Sequence, residues 1–261
     1  MNIITGSKYF NFLKFTLKKT KRKISRRAHI DFFNPAGDIQ TTGINKIFAI
    51  NLERQQSRWE ALKKELLAQK VMNGKTLFDF LERIPAIDGR TIKAESFSSN
   101  EVDNLYNLKE HFFIDPDPRL SHLVQTKDIK IGMSSPELAV ALSHIRVWNE
   151  IVNRKIPYSL ILEDDIFFED NFSVLTKNAW SELPHEANGR KNFDLLYLSF
   201  KEVDNHAEKE IFSKHVFKPI RGLWWLSGYV LTYQGARKLL DALPIRGPVD
   251  MWMNLQFQSL D

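Results

Sequence analysis

The apolar run Tyr158-Ser-Leu-Ile-Leu162 ends directly on three carboxylates, Glu163, Asp164 and Asp165. A near-continuous apolar stretch of this length suits a central strand covered on both faces. Charged carboxylates almost never sit fully buried without partners. The junction therefore predicts a strand that begins inside a core and delivers acids to its carboxyl end, where ligands gather in open α/β sheets. If the chain stays extended, Glu163 and Asp165 point to one side and Asp164 to the other. The acids alone leave two readings open. One is a strand-to-loop junction, solvated or paired with Lys and Arg. The other is a site for a hard divalent cation, which relieves their repulsion and holds a diphosphate.

The flanking sequence supplies the rest of a sheet. Lys46-Ile-Phe-Ala-Ile-Asn-Leu52 is a short apolar strand, followed by a helix from about Gln55 to Lys70 with Trp59, Leu62, Leu66 and Leu67 near one face. Phe80–Gly89 reads as a strand running into a glycine-terminated turn, whereas residues 90–131 are polar and irregular, with a turn at Asp115-Pro-Asp-Pro118. The best-marked helix precedes the acidic strand. Ser134 or Ser135 caps it, Pro136 fits its first turn, and Ser134 with Glu137 has capping-box spacing. Leu138, Ala141, Leu142, Ile145, Trp148 and Val152 then share a face, and His144 falls within that apolar arc. Further strands are expected at 193–200 and 228–232, and a helix at 235–243. The alternation predicts an α/β fold with a mainly parallel central sheet and helices on both faces.

Charge divides the chain in two. Residues 1–40 hold nine Lys/Arg against Asp31 and Asp38, a balance of +7, while the remainder carries 28 basic and 30 acidic residues, or −2. We expect a basic, flexible arm over residues 1–42 and one domain over 43–261. Between residues 8 and 27 aromatic and aliphatic side chains interleave with lysines, a composition suited to an anionic membrane surface. A disordered solvated arm is the equal alternative. Nucleic-acid binding ranks below both, because no recognised motif follows the arm. There is no apolar run long enough for a membrane span, and the N-terminus lacks a signal peptide's apolar core. With no cysteine in the sequence, disulfides, thiolate metal sites and a cysteine nucleophile are excluded.

Other candidates carry competing readings. Arg54 and Arg58 follow the first strand and face either a phosphate or solvent. His144 is a ligand or a hydrogen-bonded core histidine. Trp224, Trp225 and Tyr229 stack on a sugar or base, or pack in the core. Asp250, after the turn at Gly247-Pro248, is a base, a metal ligand or a helix cap. No G-x-S-x-G, Walker A or H-E-x-x-H motif occurs.

In this order the segments INLERQQSRW (50–59), RIPAIDG (83–89), ELAVALSHIRVW (137–148), YSLILEDDIFF (158–168), DLLYLS (194–199), GYVLTYQGARKLL (228–240) and PVD (248–250) resemble glycosyltransferase family 25. That family includes bacterial lipooligosaccharide galactosyltransferases and relatives of the collagen galactosyltransferase. The resemblance implies a GT-A-like fold, a UDP-sugar donor (galactose as the sugar), Mn²⁺ or Mg²⁺, and inverting transfer to a hydroxyl of a glycan acceptor in surface-glycan or lipopolysaccharide synthesis. We expect a cytoplasmic protein, which the basic arm at residues 8–27 would place on the inner face of the membrane. The family's acidic motif matches Glu163, Asp164 and Asp165, and its Ser-His and Trp positions match Ser143, His144 and Trp148. The late Pro-x-Asp matches Asp250. On this basis Glu163 and Asp165 are assigned to metal and diphosphate, Asp250 to the base (or a donor-sugar or metal contact), Asn51, Arg58 and His144 to the nucleotide side, and Asp164 to the ribose or the metal shell. Ala139 stands where relatives carry Gly, and eleven residues follow Asp250 where relatives continue, so a short acceptor side is expected. The alternative is a degenerate member that binds a nucleotide-sugar or glycan and transfers nothing.

Overall fold

A computed structural model describes residues 33, 43–71, 74–187, 189–203 and 207–260. Except for Phe33, the expected basic arm at 1–42 lies outside the described residues. The chain opens with β1 (Lys46–Asn51), α1 (Gln56–Ala68) and β2 (Leu81–Pro85). A region of short elements follows: β3 (Val102–Asp103), β4 (Leu105–Asn107), α2 (Leu108–Ile114), α3 (Ser121–Thr126) and β5 (Lys130–Gly132). Next come α4 (Ser135–Asn153), β6 (Tyr158–Glu163), α5 (Phe172–Glu182) and β7 (Leu195–Glu202). The chain closes with β8 (Glu208–Ile211), β9 (Phe217–Arg221), β10 (Leu223–Thr232), α6 (Tyr233–Asp241), β11 (Ile245–Arg246) and α7 (Val249–Gln256).

Five strands form the central sheet in the order β2-β1-β6-β10-β7. β1 pairs parallel with both β2 and β6, with Ile47 opposite Leu160 and Ile50 opposite Glu163. β10 runs antiparallel to both neighbours, β6 and β7. Four of the five strands thus share one direction, as expected of a mainly parallel sheet, and β10 running against its neighbours makes it mixed. Strand direction has no signature in a short apolar run, since a strand buried on both faces reads alike either way.

Side chains alternate across this sheet as the pleat requires. Phe48, Ile50, Ile161, Tyr229 and Leu231 face α4, α6 and α7, meeting Trp148, Leu239 and Trp252. Ile47, Ala49, Leu160, Leu162 and Val230 face α1 and α5, meeting Leu62, Leu66 and Phe172. Helices therefore cover both faces, and burying each such side chain contributes about 1.5–3 kcal/mol. α4 starts as its sequence predicts. Ser134 is the cap, and its side chain and that of Glu137 form the reciprocal capping box. At α6 the packing is closer still. A Cβ on Gly235 would stand 2.3 Å from the carbonyl oxygen of Asp194, so only glycine lets this helix approach the start of β7.

Glu182, at the end of α5, shows how the periphery is fastened. Burial pushes its carboxyl up, but hydrogen bonds from Ser213 and from the side chain and backbone of His215 outweigh that and hold it down at about 2. A carboxylate depressed in the folded state contributes stability above its unfolded value, and loses it as pH falls through the folded one. Glu182→Gln should therefore cost about 1 kcal/mol at neutral pH, a figure discounted for solvent screening at this quarter-exposed pair. Urea titrations of both chains should converge between the ordinary value of 4.5 and about 2. A cost that persists unchanged to the acid end would refute the assignment.

Candidate active site

β6 delivers its acids as the pleat predicts. Glu163 belongs to the face of Ile161 and α4, and Asp164 to the opposite face beside α1; the chain turns there, leaving Asp165 on the rim. Asp164 is nearly buried. It accepts hydrogen bonds from the Asn51 amide at 2.5 Å and from Arg58 at 3.2 Å. Asn51, fully buried at the end of β1, also donates to the Gln55 carbonyl and accepts from Arg83. Arg83 in turn lies over the Trp59 ring at 5.0 Å. Arg58 itself stays half-exposed and reaches Asp165 at 3.5 Å. Arg54 is engaged elsewhere, with Asp88 at 2.7 Å.

The second group gathers in a cavity of about 370 Å³ lined by Glu163, Asp165, Ser227 and Asp250, with Pro136, Val140, Trp225 and Val249 among its apolar walls. Asp250 comes from the first turn of α7, where it accepts from its neighbour Met251 N–H at 3.0 Å and from Trp225 N–H at 3.1 Å. Burial raises its pKa; the two N–H donors pull it back, and the charge of Glu163 pushes it up again. Asp165 is raised by partial burial and by Glu163, against the pull of Arg58. Glu163 thus acts electrostatically on both other carboxylates. A carboxylate that raises the proton affinity of two others marks a site of excess negative potential.

Behind Glu163 lies a buried polar chain. Trp148 Nε1–H donates to the Tyr229 hydroxyl at 2.9 Å, and that hydroxyl lies 2.9 Å from His144 Nδ1. The tyrosine oxygen accepts from Trp148, and its contact with Nδ1 takes its direction from the histidine tautomer. Nε2 of His144 is turned toward Glu163 at 3.5 Å and is buried without a hydrogen-bond partner among the described residues. Burial holds the Tyr229 hydroxyl far above its ordinary value, so it remains a donor. His144 is 1% exposed, which makes it a core histidine aimed at the site and closed off from solvent.

Among the described residues no three His, Asp or Glu side chains form a preformed metal cage. Glu163 and Asp165 nonetheless present two mutually repelling carboxylates to one cavity. A Mg²⁺ or Mn²⁺ ion held by one or two carboxylates, with phosphate and water completing its shell, needs no more from the protein. The residues fit an ion of that kind.

The structure therefore places Glu163, Asp165 and Asp250 at one cavity, with His144 behind Glu163. Asn51 and Asp164 form a neighbouring cluster joined to it by Arg58. Sequence reasoning missed the backbone of Trp225. This residue has φ of +74° in an irregular part of β10, between Trp224 opposite Lys201 and Gly228 opposite Ser199. A bulky residue at positive φ stores about 1–3 kcal/mol of strain and persists only where its surroundings impose it. No sequence pattern announces a tryptophan in a conformation that favours glycine.

Residues 44–253 match the family described as "Glycosyltransferase family 25 (LPS biosynthesis protein)". The chain is 27% identical over 220 residues to "Procollagen galactosyltransferase 1" of Danio rerio, a match covering 83% of this chain and 32% of the relative. It is 29% identical to "Glycosyltransferase 25 family member" of Drosophila melanogaster, covering 82% and 31%. To "Probable inactive glycosyltransferase 25 family member 3" of Bos taurus it is 28% identical, covering 83% and 32%. The chain thus spans about a third of the length of the curated relatives it matches. Among the described residues no helix is long and apolar enough to cross a membrane.

Proposed function

Because the chain belongs to glycosyltransferase family 25, we propose that it transfers a hexose, galactose foremost, from a UDP-sugar to a hydroxyl of a glycan, with inversion. One observation carries the reading: the meeting of Glu163, Asp165 and Asp250 at a single cavity, with a proton affinity raised at Asp165 and Asp250. A GT-A-like arrangement fits the acids' place at the carboxyl end of β6, and the galactosyltransferase name of a relative favours galactose. The family description points to a surface-glycan acceptor in lipopolysaccharide synthesis. The basic, aromatic composition of residues 8–27 supports a cytoplasmic enzyme held on an anionic membrane surface.

In a single displacement, Asp250 takes the proton of the acceptor hydroxyl as its oxygen bonds to the anomeric carbon. The bond from that carbon to the diphosphate breaks, and UDP leaves with the electron pair. A raised carboxyl pKa suits this task, since a base closer to the working pH accepts a proton more readily. Glu163 and Asp165 would hold Mn²⁺ or Mg²⁺, which would supply charge neutralisation at the departing phosphate. His144 stands behind Glu163 with Nε2 at 3.5 Å, and its contact with Tyr229 holds the ring in place. Asn51 and Asp164 hold Arg58 beside the nucleotide.

Calorimetry of UDP with and without Mn²⁺, beside a screen of UDP-sugars read as released UDP, tests the proposal. We expect Mn²⁺-dependent UDP binding and turnover with UDP-galactose. A relative named as inactive aligns across the same region, which favours a second reading as a binding module. Tight UDP binding without turnover on any sugar would favour that module, and no UDP binding would remove both.

A further inference from the structure

Trp225 contributes two different atoms to one place. Trp225 lines the cavity of Glu163, Asp165 and Asp250 and is 40% exposed, while Trp148 and Trp252, on the helices packed beneath the sheet, are 0% and 3% exposed. Its backbone N–H meets Asp250 Oδ2 at 3.1 Å. The positive φ comes from a bulged stretch of β10, and bulges beside active sites serve to re-aim a side chain. The cavity lining pairs carboxylates with apolar Pro136, Val140 and Val249. A hexose has the same division, a face of C–H groups and a rim of hydroxyls. An indole offers the first a flat, polarisable partner.

We propose that Trp225 is the platform for the acceptor sugar, its indole carrying one face of the hexose while its backbone N–H fixes the base, Asp250. This rests on the transferase reading above. The acceptor is the occupant because Asp250 must lie within hydrogen-bond reach of the hydroxyl it deprotonates. A ring anchored to that base by its own backbone sets the distance between sugar and base through a single residue. Strain at this position is retained because glycine, which would relieve it, has no ring to offer.

Trp225→Gly separates the two roles: it keeps the N–H, removes the ring and accepts the positive φ. Methyl β-galactoside and methyl β-glucoside, titrated into the full chain with UDP present, serve as probes in saturation-transfer NMR. At least one hexoside should bind the wild type, and Trp225→Gly should weaken it by about tenfold or more. Trp225→Phe should stay within about threefold, because it retains an aromatic face. UDP affinity by calorimetry should not change, and the melting temperature of Trp225→Gly should be no lower than that of the wild type. Equal hexoside binding by wild type and Trp225→Gly overturns the platform, as does no binding by the wild type. A loss confined to UDP affinity also overturns it, moving the ring to the donor. Hexoside binding that needs Trp225, in a chain that releases no UDP from any UDP-sugar, upholds the platform and counts against the transferase reading alone.

Discussion

Asp250→Asn is expected to lower kcat by about a hundred- to ten-thousand-fold, the range spanned by removal of a positioned general base. The substitution keeps the size of the side chain and one acceptor for the Met251 or Trp225 N–H. The variant should therefore fold, with UDP affinity retained. The sign of the pH effect follows from the raised pKa. The wild-type kcat/KM should fall on the acid side through a value above the ordinary 3.8, as Asp250 becomes protonated in the free enzyme. For stability the same shift acts in the opposite sense to that of Glu182. A carboxyl whose folded value is raised favours folding most fully below its unfolded value, and that contribution is lost as pH rises through the folded one. Removing the charge should thus offset part of the hydrogen bonding that Asn loses at neutral pH. Measuring kcat/KM across pH for both chains decides the role. An acid limb that survives unaltered in Asp250→Asn would show that another group is the base.

Asp165→Asn carries the second large effect, a loss of about a hundredfold or more in turnover together with the Mn²⁺ enhancement of UDP binding. Its neighbour sharpens the contrast. Asp165 is about half-exposed and raised in proton affinity by Glu163, so neutralising it relieves repulsion and should leave the melting temperature unchanged or higher. Asp164 is nearly buried and tied to Asn51 and Arg58, so Asp164→Asn should lower the melting temperature, since it breaks a buried charge-assisted network. Adjacent residues in one triplet are thus expected to fail in different assays. Wild-type turnover that persists in chelator, or an Asp165→Asn variant with normal kcat, would take the metal away from this site.

Much of this was legible because it was long or punctuated. The 19-residue α4 carries both an apolar arc and a cap, and β6 is apolar until its acids begin. The sides taken by Glu163 and Asp164 followed from the two-residue period alone. What escaped was short or non-local. α2 has a capping box at Asn107 and Glu110, yet its seven residues are too few to display a helical period within a polar stretch. α5 went unread, although its apolar residues pack against β6. The contact of Asn51 with Asp164 joins residues 113 apart, and no local pattern encodes such a pair. The ascent of β10 between β6 and β7, and the positive φ of Trp225 within it, are imposed by the finished sheet.

The position of β10 bears on how the protein comes into being. Among the described residues β7 has no partner in the central sheet other than β10, and β6 has an open edge until the same strand arrives. β1 must already have waited more than a hundred residues for β6. Such long-range pairings make folding slow and leave strand edges uncovered during synthesis. The acids of β6 and the aspartate of α7 share no cavity until β10 closes the gap between them. A chain emerging from the ribosome therefore brings Glu163, Asp165 and Asp250 to one cavity only in a late step.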